Sequence, residues 1–184
     1  MLTTFTGRRI DLIDMQPSDI CIEDIAHSLA CVNRFNGHTV RPVSVAQHSV
    51  YVKRLVDGTP FALQALLHDA SEAYIGDVTK WLKQSPGFCW YRELEDHIQR
   101  MIWARFGCPE EQADLVSAAD KLMVRYEAHR VHHPICVPGT TDPHAGYPPP
   151  SQDEIAMVGP WNPWPWRIAK DVFLVEFKLA GGVE

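Results

Sequence analysis

Apolar side chains recur at three- and four-residue spacing along most of the chain, a period that predicts helices rather than strands. "IEDIAHSLACVN" (22–33) and "SVAQHSVYVKRLVD" (44–57) both carry it, the second opening on Ser44 as a helix N-cap. "PFALQALLHDASEAY" (60–74) starts with Pro60 near its first helical position and is almost continuously apolar as far as Leu67. This pattern predicts a buried central helix. After the Pro86-Gly87 turn, "WYRELEDHIQRMIWARFG" (90–107) predicts a long amphipathic helix stopped by Gly107. "PEEQADLVSAADKLMVRYEAHRV" (109–131) predicts another, with Pro109 and acids in its first turn, and "WRIAKDVFLVEFKLA" (166–180) a last one before Gly181-Gly182. Only "TTFTGRRIDLID" (3–14) alternates in the manner of a strand or small hairpin arm. From 132 to 165 the chain turns rich in Pro, Gly and small polar residues, which predicts an ordered loop or insertion over a site. The expectation is one all-α domain over residues 1–184, a helical bundle with a small N-terminal β arm.

Composition narrows the partners. Seventeen Lys and Arg against 23 Asp and Glu give a net charge of −6, with no basic run to follow a phosphate backbone. Polymeric nucleic acid is therefore not an expected partner, whereas a small anion remains one. No segment has the roughly 18 apolar residues of a membrane span, and the N-terminus lacks a signal-peptide pattern. The five cysteines are odd in number and without a CxxC pair, as expected of reduced thiols in a cytoplasmic protein.

The candidate chemistry begins at "LLHDASEAYIGD" (66–77), where His68, Asp69, Glu72 and Asp77 follow an apolar run. On a helix His68, Asp69 and Glu72 share one surface. His48 lies among Val45, Val50 and Val52, and Asp120 in "LVSAADKLMV". Charge among apolar residues needs a partner or a metal. Two imidazoles and two carboxylates, His48, His68, Asp69 and Asp120, form a complete ligand set for a divalent ion. Mixed nitrogen and oxygen ligation suits Mn²⁺, Fe²⁺, Co²⁺ or Zn²⁺, with Mg²⁺ kept beside them. His132, His133 and His144 have no carboxylate at fixed spacing and make a weak second set. Trp161, Trp164 and Trp166 are read as anchoring the long loop on the last helix.

The order His48, His68-Asp69, Asp120 resembles the HD-domain metal-dependent phosphohydrolases. The string "HDASEAYIGDVTKWLK" resembles the bacterial 5′-deoxynucleotidases of that superfamily and the related phage dATP triphosphohydrolases, whose motif runs HDxSE…GD…K. "RFNGHT" and "SVAQHS" resemble their Arg-aromatic and His-Ser elements, so the likeness covers most of residues 20–130. It implies an HD-domain bundle in which the four ligands hold one divalent ion and Glu72 acts on the attacking water. Arg34 and Lys83 would contact phosphate, and Asp77 the deoxyribose. Phe35 would lie near sugar or base, where the nucleotidases usually carry tryptophan. Trp81 is either a base contact or core. The implied substrate is a 2′-deoxynucleotide, either a monophosphate cleaved to nucleoside and phosphate or a triphosphate cleaved at the α-phosphorus; Lys80 and Lys121 add cations for the second. A homo-oligomer is expected. An alarmone hydrolase and a nucleotide-binding protein without turnover are the alternatives.

Overall fold

In the computed structural model, which describes residues 1–132 and 146–183, helices account for most of the chain. The β arm is two two-residue strands, β1 (Leu2–Thr3) and β2 (Arg9–Ile10), paired antiparallel with Leu2 opposite Ile10. The helices are α1 (Ile22–Cys31), α2 (Val45–Leu55), α3 (Ala62–Leu66), α4 (Glu72–Ile75), α5 (Lys80–Lys83), α6 (Cys89–Phe106), α7 (Asp114–Val131), α8 (Gln152–Val158) and α9 (Trp166–Leu179). Ser44 caps α2, its hydroxyl accepting from the Gln47 amide at 3.2 Å. Gly107 ends α6 at φ +68°, a left-handed conformation that glycine adopts at little cost.

Three expectations need correction. The central buried helix is α2, whose residues from Val45 to Lys53 are all buried. The 60–74 segment is broken: α3 and α4 are separated by tight turns through Leu67–Ser71, in which the Ala70, Glu72 and Ala73 amides each reach back three residues. An apolar run looks the same whether it continues as a helix or winds into turns, and the break is made from outside. The Gln99 side chain, on α6, accepts from the Ser71 amide at 3.0 Å and donates to the Leu67 carbonyl at 2.8 Å.

The third correction concerns the start of α7. Pro109 and the acids after it precede the helix instead of forming its first turn. Gln64 holds this segment extended, donating to the Pro109 and Glu111 carbonyls and accepting from the Ala113 amide at 3.0 Å. The 132–165 stretch is also more regular than a loop where it is described, since α8 carries a capping box between Ser151 and Glu154. Its segment 133–145, with Cys136, His133 and His144, lies outside the described residues.

Two apolar clusters meet along α2. One joins α1, α2, α6 and α9 through Ile25, Leu29, Val50, Ile98, Ile102, Phe173 and Phe177. The other joins α2, α7 and the chain after α8 through Tyr51, Val52, Met123, Tyr126 and Trp161. Gln47 pins that later chain to α2 by donating to the Asn162 carbonyl and accepting from the Trp164 amide, both at 2.8 Å. The chain carrying Trp161 and Trp164 is thus tied to α2 and not, as expected, to the last helix, and Trp166 is exposed. The described cysteines are free thiols.

Candidate metal centre and adjoining cleft

His68 leads the turn that Gln99 braces. Its Nδ1–H donates to the Ala65 carbonyl at 2.8 Å, which leaves the Nε2 lone pair facing inward, buried and without a hydrogen-bond donor among the described residues. His48 is oriented in the same way from α2, its Nδ1–H donating to Glu127 Oε2 at 3.1 Å. An imidazole whose outer nitrogen is bound to a carbonyl or carboxylate is fixed in the tautomer that ligates a metal.

The two Nε2 atoms converge on two carboxylates. His68 Nε2 lies 3.2 Å from Asp69 Oδ2 and 3.7 Å from Asp120 Oδ1; His48 Nε2 lies 3.8 Å and 3.1 Å from the same oxygens. The donor atoms of His48, His68 and Asp69 all fall within 4.8 Å of one another. Ligands about 2.1 Å from a common ion are spaced by about 3–4 Å, so His48, His68 and Asp69 fit a divalent cation in both chemistry and size, with Asp120 beside the two rings. Three elements that are distant in the chain supply it: α2, the 67–71 turn and α7.

The electrostatics draw positive charge to this point. Burial works against charging His68, yet Asp69 and Asp120 raise its pKa well above the usual imidazole value. Burial and the Arg34 charge oppose His48, and Glu127 with Asp120 still raises it. The imidazoles in turn hold Asp69 and Asp120 below the usual carboxylate range against the effect of burial. Either protons on the rings or a cation among them answers this demand.

Glu72 opens α4 one turn after Asp69 and is buried. Its Oε1 lies 3.5 Å from Lys83 Nζ, and Oε2 has no hydrogen-bond partner among the described residues. Burial, then Asp69 and Asp77, push its carboxyl well above the ordinary range, with Lys83 and Arg34 opposing. Such a group keeps its proton to higher pH than an ordinary glutamate.

A cleft of about 760 Å³ opens beside Asp69 and Asp120. Arg34 lies on its wall, its Nε donating to Glu127 at 2.8 Å and its Nη1 3.6 Å from Asp69. Phe35, at φ +54°, and Asn36, at φ +50°, occupy the left-handed region that non-glycine residues rarely enter. The Phe35 ring meets Tyr147 and His132 edge-on in the same cleft. Asp77 also lines it, its carboxyl raised chiefly by burial. Lys83 reaches the wall but is bound to Glu95 at 2.5 Å as well as to Glu72. Lys80 and Lys121 line the cleft with no carboxylate at ion-pairing distance among the described residues. Trp81 is 81% exposed on the rim, which excludes the core alternative.

Sequence reasoning missed Glu127, Glu95, Gln99 and Tyr147. A signal existed for Glu127, which stands two turns after Asp120 and so on the same face of α7. Tyr147 lay hidden in low-complexity chain.

No family model matches the sequence. Over 138 residues it is 41% identical to the uncharacterized protein RCAP_rcc00048 of Rhodobacter capsulatus, covering 68% of this chain and 70% of that one. Over 127 residues it is 38% identical to the uncharacterized protein YfdR of Escherichia coli, covering 68% of this chain and 69% of that one.

Proposed function

From the premise that the chain belongs to one family with these two bacterial proteins, we propose that it is a metal-dependent phosphohydrolase of the HD type acting on 2′-deoxynucleotides. The observation that carries the reading is the convergence of His48, His68, Asp69 and Asp120 at the edge of a cleft walled by cations and aromatic rings. A divalent ion supplies Lewis-acid polarisation of a phosphoryl oxygen and acidifies a coordinated water. Every other contribution comes from the chain. Glu72, with its raised pKa, takes the proton of the attacking water and can return it to the leaving oxygen. Arg34, its Nε fixed by Glu127, turns its remaining N–H groups to phosphate. Asp77 accepts from the sugar hydroxyl, while Phe35, Trp81 and Tyr147 offer faces to the base.

Lys83 is bound by two carboxylates and serves first to hold Glu72 and Glu95. Lys80 and Lys121 have no ion pair among the described residues, which supports the longer phosphate chain of a triphosphate over a monophosphate. Incubating the protein with dAMP and dATP in Mn²⁺, Co²⁺ or Mg²⁺, and separating orthophosphate from tripolyphosphate, tests the reading. Tripolyphosphate from dATP is the expected product. Orthophosphate from dAMP alone makes it a nucleotidase, and turnover of neither, with nucleotide still bound, makes it a binding protein. Glu72→Ala is expected to retain the metal and lose turnover; an active variant removes Glu72 from the mechanism.

A further inference from the structure

Helix α9 buries Ala169, Phe173, Glu176 and Phe177 against α1, α2 and α3. A second apolar line runs along it at Ile168, Val172, Val175 and Leu179, spaced four, three and four residues apart. That spacing is the seam of a packed helix pair. Among the described residues three of the four are largely uncovered, Ile168, Val175 and Leu179 being 48%, 56% and 72% exposed, while Val172 between them is partly buried against the core. Single exposed aliphatics are ordinary, but three in register, joined by the half-buried Val172, on a helix that already has an inward face form a patch. Asp171 and Lys178 border it on its solvent side, both exposed and without an ion pair among the described residues.

We propose that this line is the contact between two copies of the chain, with the two α9 helices packed antiparallel about a two-fold axis. The occupant is argued from charge order. In the antiparallel register that sets Ile168 against Leu179 of the second copy and Val172 against its Val175, Asp171 falls about 3 Å along the axis from the other copy's Lys178. Lysine spans that offset easily, and the symmetry makes the pair twice. In a parallel pairing the two-fold axis would carry the second copy's Asp171 and Lys178 to the opposite flank of the seam, and neither charge pair would form. The patch is thus self-complementary in charge. A two-fold contact requires this of a surface, and an unrelated partner has no reason to match it. The inference is independent of the proposed chemistry.

Sedimentation equilibrium of the full chain tests it. The expected mass is twice that of one chain, and Val175→Arg is expected to reduce it to one chain with the far-ultraviolet circular dichroism unchanged. Asp171→Lys and Lys178→Asp, made singly, are each expected to shift the population towards monomer. Asp171→Lys combined with Lys178→Asp restores opposite charges at both pairs and is expected to restore the dimer. A wild-type monomer, a dimer that persists in Val175→Arg, or a double reversal no better than the single ones would each overturn the proposal.

Discussion

Glu127 shows how much one side chain governs at the centre. A single oxygen, Oε2, accepts from both His48 Nδ1 and Arg34 Nε, so one carboxylate orients a candidate ligand and a candidate phosphate contact together. Glu127→Gln keeps an acceptor there but removes the charge. It is expected to weaken metal binding by about 10- to 100-fold, the usual effect of losing such an outer partner, measured by competition with a chromophoric chelator. Glu127→Ala leaves the buried Arg34 charge with less compensation and is expected to cost about 3–5 kcal/mol of stability in urea unfolding. Unchanged metal affinity in Glu127→Gln would mean that His48 holds its orientation without help. Glutamate on an amphipathic helix ordinarily reads as a solvent residue, so its complete burial was not legible in the local pattern. His48, His68, Asp69 and Asp120 were legible because each interrupts apolar sequence. Their meeting is a property of the fold.

At the scale of elements, three buried or nearly buried glutamines do what regular secondary structure does elsewhere. Gln47, Gln64 and Gln99 each satisfy a backbone donor and at least one backbone carbonyl on a segment that has left its ladder. Gln99→Leu, close in volume, strands the Leu67 carbonyl and the Ser71 amide. A loss of about 1–3 kcal/mol is expected, together with weaker metal binding, because the same turn presents His68. If calorimetry finds stability lowered and metal affinity intact, the turn keeps its shape without the amide. These contacts also explain which elements could be read in advance. Helices α1, α2, α6 and α9 follow their own periodicity and caps, with Ser44 and Gly107 at the expected places. The break between α3 and α4 depends on Gln99, 28 residues away in sequence, and the late start of α7 depends on Gln64. Neither long-range clasp leaves a mark in the local pattern.

For the molecule as a whole, acid sensitivity should be set partly by the buried ion cluster that ties α2 to α9. Burial tends to raise the Glu176 carboxyl, but Lys53, at 2.8 Å, and Arg54, at 2.9 Å, hold it below the ordinary range. A carboxyl depressed by folding contributes fully above its unfolded pKa and loses that contribution as pH falls through the folded value. Burial likewise lowers Lys53, and Asp57 and Glu176 outweigh it to raise the amine. Its contribution is therefore complete below the usual lysine pKa and fades as pH rises through the elevated one. Glu176→Gln is expected to flatten the acid limb of stability against pH, followed by urea midpoints from neutral to about pH 3. A limb as steep as that of the wild type would place the acid-sensitive groups elsewhere. The candidate ligands have a further consequence in the language of polymer topology. His48 and Asp120 are 72 positions apart, with His68 and Asp69 between them. An ion held by all four would knot the chain into two closed circuits, as a pair of cross-links does, and the denatured chain would surrender entropy for as long as the circuits stayed shut.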